Sequence, residues 1–196
     1  MTKESSRRYL TLPNALTVSR VVLLPVILWS ILEKHFDWAL GLWLAAGISD
    51  LLDGLLARWL NQRTLFGMFL DPIADKLLLS STYIVLSVQR EIPWWVTGLV
   101  LARDATIIVT VVVLVLNTAL RKFPPSLLGK INTVVQLAAV YVVLLDAVYS
   151  GQWLDLLRRV IMILVPALVI ASGLHYSYQM IRKLTRERRQ APEPPR

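Results

Sequence analysis

Asp50, Asp53, Asp71 and Asp75 set four carboxylates into two stretches of chain that are otherwise apolar. The first reads Ser49-Asp50-Leu51-Leu52-Asp53-Gly54-Leu55-Leu56-Ala57-Arg58, the second Gly67-Met68-Phe69-Leu70-Asp71-Pro72-Ile73-Ala74-Asp75-Lys76. At about 100° per residue, Asp50, Asp53, Gly54, Ala57 and Arg58 fall within roughly 140° of one helix face. Gly67, Asp71 and Asp75 recur every fourth residue and so stack on one face of the next helix. The polar connection between the stretches is short, which predicts antiparallel neighbours whose acidic faces meet. Carboxylates sharing a small site raise one another's pKa, so protons or cations must accompany them. The chain has no cysteine, and no histidine lies near these residues, so only oxygen ligands are on offer. That donor set fits hard cations such as Mg²⁺ or Mn²⁺. Two such ions about 4 Å apart suit a displacement at phosphorus. Gly54, Ala57 and Gly67 remove side chains from the same faces, leaving space for a flat group such as a nucleotide base, and Arg58 is of the type that pairs with phosphate. Small residues on facing helices also serve as plain packing contacts.

The elements that must position these residues are long. The chain is 56% hydrophobic, too apolar for an ordinary soluble domain of 196 residues. A bilayer core needs roughly 20 apolar helical residues per crossing, which leaves room for about six crossings and little else. The expected fold class is all-α: a polytopic membrane protein with six transmembrane helices and a short N-terminal interfacial segment at residues 10–20. The spans are expected to end near Leu32 for the first, and to cover about Trp38–Leu60, Gly67–Val88, Pro93–Leu120, Leu127–Tyr149 and Leu154–Tyr178 for the others. No small-residue cleavage site follows Leu32, so the first span reads as uncleaved. Residues 1–181 form the expected membrane domain. Residues 182–196 form a basic, proline-containing tail expected to be disordered. A charged residue at a transmembrane helix centre costs about 2.5–3.5 kcal/mol, so four unpaired carboxylates would cost on the order of 10 kcal/mol. Such a set needs a compensating partner.

The net charge is +8, carried by tails and loops beside apolar blocks, which points to anionic lipid headgroups and not to nucleic acid. Lys3, Arg7, Arg8, Arg20, Arg58, Arg63, Arg121, Lys122, Lys130 and the run Arg182–Arg189 fall on one side of a six-span topology; Lys34, Arg90, Arg158 and Arg159 fall on the other. The bias predicts both termini, and the acidic cluster, on the cytoplasmic side of the cell (inner or plasma) membrane. Trp29, Trp38, Trp94, Trp95 and Trp153 lie near span ends, as an interfacial aromatic belt requires.

The order Asp50-x2-Asp53-Gly54-x2-Ala57-Arg58-x8-Gly67-x3-Asp71-x3-Asp75 resembles the signature of the CDP-alcohol phosphatidyltransferases, with eight fixed residues over 26 positions. The opening Leu12-Pro13-Asn14, with Thr17 and Arg20, looks like bacterial members that make glycerophospholipids. The resemblance implies six membrane helices, a homodimer, and an active site open to the cytoplasm. It implies that Asp50, Asp53, Asp71 and Asp75 hold the metal pair, that Asp75 is also the general base, and that Gly54, Ala57, Arg58 and Gly67 line the site for the CDP moiety. The implied reaction is attack by an alcohol on the lipid-linked phosphate of CDP-diacylglycerol, releasing CMP.

The acceptor is expected to be of glycerol type, glycerol 3-phosphate or phosphatidylglycerol. Inositol phosphate is the alternative. Arg103 and Lys130 are the candidate acceptor-binding residues. Arg103 beside Asp104 also reads as a buried structural pair, and Lys130 as a headgroup-level cation. The run Gly129-Lys130-Ile131-Asn132-Thr133-x2-Gln136 mixes patterns, and its Lys-x-Asn-Thr portion looks like the cardiolipin synthases of the family. Intramembrane carboxylates also mark ion-coupled transporters, but the chain is short, has no inverted repeat and gathers its acids near one side. A non-catalytic lipid-binding relative is a third reading, against which the intact set of four aspartates argues.

Overall fold

The computed structural model describes residues 12–59, 65–117 and 127–190, with side chains described for residues 19–49, 52, 74–109 and 128–175. Among the described residues the chain is all-helical: α1 (Leu12–Leu32), α2 (Phe36–Trp59), α3 (Leu65–Val88), α4 (Trp94–Asn117), α5 (Leu127–Val148) and α6 (Gln152–Gln190). The helix limits agree with the expected spans to within a few residues, except at the two chain ends. Residues 12–20 form no separate surface element; they are the first turns of α1, which runs unbroken to Leu32. Pro13 sits in the first turn, where its missing N–H costs no helical bond. At the other end α6 continues to Gln190, into the stretch expected to be a disordered tail. Residues 182–190 are Arg, Lys, Leu, Thr, Glu and Gln, mostly good helix formers, and the first proline comes at position 192.

Two connections at one end of the bundle share a chemistry. Lys34 (φ 60°) and Arg90 (φ 65°) are left-handed residues just past α1 and α3. His35 N–H donates to the Ser30 carbonyl at 2.8 Å and Lys34 N–H to that of Ile31 at 3.0 Å. Glu91 and Arg90 repeat the pattern on Leu86 and Ser87 at 2.9 and 3.0 Å. Both helices therefore close with a Schellman motif, which satisfies carbonyls that the helix end would otherwise orphan. Side chains join these turns: Gln89 Nε2 donates to the Leu32 carbonyl at 2.6 Å. Arg158 of α6 binds Asp146 of α5 at 2.6 Å and the Glu91 carboxylate and carbonyl at 2.9 and 2.7 Å.

At the bundle's centre, α1 packs on α2 and α3, and α5 packs on α2, α3 and α6. Among the described residues α2 and α3 do not pack on each other. The acidic turns through which the two helices are expected to meet have their side chains, Asp75 apart, outside the described residues. Over their described residues they stand on opposite sides of a cavity that α1 and α5 close. Ile27 and Ile31 of α1, Trp43 of α2, Tyr83 of α3, Val100 of α4, Val140 of α5 and Val165 of α6 contribute to one apolar core. The buried set also contains Arg20, Arg103, Asp104, Asn132 and Gln136, while Val22, Ile48, Leu77, Val134, Ile163 and Leu174 are exposed. Leu128–Val148 of α5 is long and apolar enough to cross a membrane; Ser19–Leu32 and Phe36–Ser49 are shorter apolar helices.

Candidate active site

The cavity between α1, α2, α3 and α5 has a volume of about 710 Å³. Its body is apolar, walled by Trp43, Leu44 and Ile48 of α2, Leu78 and Leu79 of α3, and Leu137 and Val142 of α5. Ala46, Gly47 and Ala138 keep the walls apart by having little or no side chain. From Thr133 to Val142 the lining follows α5 over roughly 13 Å of helix. The end nearer the start of α3 carries charge: Arg20, Asp75 and Lys76.

Each of these three charges is fixed by another helix. Arg20 of α1 donates through Nη1 to Asp75 Oδ1 of α3. Lys76 of α3 pairs with Asp104 Oδ1 of α4. The same oxygen accepts from Arg103 Nη1 at 2.8 Å, and Arg103 Nη2 reaches the Gly129 carbonyl of α5 at 3.5 Å and Ser172 Oγ of α6 at 3.4 Å. The turn of α3 that bears Asp75 and Lys76 is therefore pinned on one side to α1 and on the other, through α4, to α5 and α6. Buried charges persist only when paired and hydrogen-bonded, which is why these contacts cross between helices. Further along α3, Tyr83 Oη donates to the Gln136 carbonyl of α5 at 3.2 Å. The side-chain amides of Asn132 and Gln136 are buried, with no hydrogen-bond partner among the described residues.

Of the residues singled out in the sequence, Asp75 lies on the cavity wall with its side chain half exposed. Asp50, Asp53, Gly54, Ala57 and Arg58 fall on α2, and Gly67 and Asp71 on α3, but their side chains lie outside the described residues. The meeting of all four carboxylates falls there too; among the described residues no group of three or more metal-capable side chains occurs. Arg103 is buried with both Nη atoms bonded to protein groups, and Lys130 is exposed on α5, three residues before the cavity-lining Thr133. Two site residues were missed. Arg20 figured only as the end of the opening motif and as a topology charge. Asp104 figured only as Arg103's neighbour, not as the anchor of Lys76. The available signal was a lone charge set in a long apolar run, such as Arg20 before Val21–Leu32.

The profile of the CDP-alcohol phosphatidyltransferase family matches residues 10–175. The chain belongs to that family. It is 36% identical over 156 residues to the human cardiolipin synthase (CMP-forming), an alignment covering 71% of this chain and 52% of that protein. It is 40% identical over 119 residues to the cardiolipin synthase (CMP-forming) of Streptomyces coelicolor, covering 58% of this chain and 55% of that one. It is 34% identical over 185 residues to the "Probable phosphatidylglycerophosphate synthase" of Mycobacterium tuberculosis, covering 90% and 85%. The chain thus spans about half the length of the cardiolipin synthases it matches.

Proposed function

We propose that the chain is a multi-pass membrane enzyme that transfers the phosphatidyl group of CDP-diacylglycerol to the hydroxyl of a glycerol-type acceptor, glycerol 3-phosphate or phosphatidylglycerol, and releases CMP. The observation that carries this reading is the cavity: an apolar body with Arg20, Asp75 and Lys76 at one end. A phospholipid needs that division, with acyl chain against Leu78, Leu137 and Val142 and phosphate beside the charges. Membership of the family supports the reaction class.

Three features support the membrane reading. The shortest of the six helices has 21 residues, about 32 Å at 1.5 Å per residue, against a hydrocarbon core of about 30 Å. The surface is unlike that of a soluble protein, with many leucines, valines and isoleucines exposed while Arg20, Arg103 and Asp104 are buried. Trp29, Trp38, Trp94, Trp95 and Trp153 are all exposed and all lie close to the short turns at one end, as a headgroup-level belt would. In this reading that end is extracytoplasmic, both termini and the charged end of the cavity are cytoplasmic, residues 1–181 form the membrane domain, and two copies form a homodimer.

The four aspartates fit a pair of Mg²⁺ or Mn²⁺ ions in chemistry: all are oxygen donors, and Asp75 presents a half-exposed carboxylate to the cavity. Asp50, Asp53, Asp71 and Asp75 would hold them, and bound ions would stabilise charge on the phosphate oxygens. The chain's own part is as follows. Gly54, Ala57, Arg58 and Gly67 receive the CDP moiety. Asp75 takes the proton of the acceptor hydroxyl as its oxygen bonds to the lipid-linked phosphorus. The bond from that phosphorus to the bridging oxygen breaks, and the electron pair leaves with CMP. Arg103 and Lys130 are the acceptor-side candidates, Lys130 by direct contact and Arg103 by holding Asp104 and hence Lys76.

The test is CMP release from CDP-diacylglycerol by the purified protein, with Mg²⁺, Mn²⁺ or EDTA, and with glycerol 3-phosphate, phosphatidylglycerol, inositol phosphate or no acceptor. Release that requires a divalent ion and one of the two glycerol-type acceptors supports the proposal. No release with either, or release indifferent to EDTA, overturns it.

A further inference from the structure

Arg20 and Asp75 are unequally placed. The Arg20 side chain is 1% exposed and the Asp75 side chain 48%, although the two are paired. Both line the same cavity. The guanidinium is thus sunk in the wall, and the carboxylate stands in front of it on the open side. An anion entering the cavity meets Asp75 first, with the cation behind it.

That order has an energetic consequence. Removing a carboxylate from a buried guanidinium is unfavourable, so departure of Asp75 from Arg20 is favoured when another anion takes its place. Arginine's planar fork suits a phosphate at least as well as a carboxylate. Yet Asp75, on the proposed reading, must be available to accept a proton or serve an ion, and a carboxylate held by arginine does that work poorly.

We infer that Arg20 is a donor-phosphate-binding residue that Asp75 occupies until the donor arrives: the pyrophosphate of CDP-diacylglycerol displaces the Asp75 carboxylate from the guanidinium, and only then is Asp75 released for the transfer. The exchange makes and breaks ion pairs only. It couples the freeing of the base to the presence of the donor. The inference rests on the proposed function for the identity of the anion. It assigns Arg20 a role apart from the four-aspartate signature.

The test is equilibrium binding of labelled CDP-diacylglycerol to the purified full chain in nanodiscs, in EDTA and again in Mg²⁺, with cytidine as the phosphate-free control. In EDTA, Arg20→Gln is expected to weaken donor binding tenfold or more, and Arg20→Lys to restore part of it. Asp75→Asn is expected to tighten binding several-fold, because the Asp75 carboxylate no longer competes with the donor for the guanidinium. The double variant is expected to bind as Arg20→Gln does. Cytidine binding changes in none of them. A counter-ion with a purely structural role predicts the opposite for Asp75→Asn, no change or weaker binding, and that result overturns the inference, as does Arg20→Gln binding within twofold of wild type. If Arg20→Gln does not fold, the Asp75→Asn result decides. If wild type binds donor only with Mg²⁺, the Arg20→Gln comparison in Mg²⁺ decides. Failure of wild type to bind under either condition overturns the proposed function itself.

Discussion

Asp104 of α4 holds Lys76 of α3 and, on the same oxygen, Arg103 at 2.8 Å. Asp104 and Arg103 are both buried, and Lys76 is one residue beyond Asp75. One buried carboxylate therefore carries two cations, and through Lys76 it fixes the turn of α3 that presents Asp75 to the cavity. Replacing it by Asn leaves Arg103 buried with no full counter-charge. Asp104→Asn is expected to cost about 3 kcal/mol or more of stability, read as a fall in thermal unfolding midpoint in detergent. An unchanged midpoint would show that the pair is not what holds these helices.

Gly47 separates a packing defect from a blocked cavity. A Cβ added there meets no heavy atom within 4 Å, yet Gly47 lines the cavity. Gly47→Leu should fold as well as wild type or better, since leucine favours a helix over glycine by close to 1 kcal/mol. Its side chain should occupy the space proposed for an acyl chain and raise the KM for long-chain CDP-diacylglycerol at least tenfold, with a smaller effect on a short-chain donor. Equal KM values across chain lengths would remove the acyl chain from this cavity.

Asp75→Asn is expected to lower CMP release by about 10²-fold or more, the usual contribution of a positioned general base. The assay is single-turnover CMP release at saturating donor and acceptor. Activity within a few-fold of wild type would mean that another group takes the proton.

Arg158 provides the contrast. Its contacts to Asp146 and Glu91 tie α6 to α5 and to the 89–93 turn, at the bundle end remote from Asp75. Arg158→Ala is expected to destabilise by about 1–3 kcal/mol while leaving kcat unchanged at a temperature where the protein remains folded. A selective loss of kcat would place this cluster in the reaction.

Arg90 occupies the left-handed region at φ 65°. Arg90→Gly removes the Cβ clash and should raise stability by up to about 1 kcal/mol, whereas Arg90→Val should lower it by more than that. Thermal midpoints of the two variants, compared under one detergent, check the sign of each.

The helices, their number and the acidic turns were legible in the sequence because apolar run length and i, i+4 spacing are local properties. Asp75 could be placed on a face of α3 from Gly67 and Asp71 alone. The family too was legible, since eight fixed residues lie within 26 positions of one another along the chain. Which helices touch was not legible. Among the described residues the tertiary structure sets a cavity between α2 and α3, with α1 and α5 bridging it, and no spacing along the chain announced that cavity. The ion pairs of Arg20 with Asp75, 55 residues apart, and of Lys76 with Asp104 follow from that arrangement. A lone arginine in an apolar helix announces that it needs an anion. Which anion it finds depends on how separate helices are brought together, and no spacing within one helix encodes that.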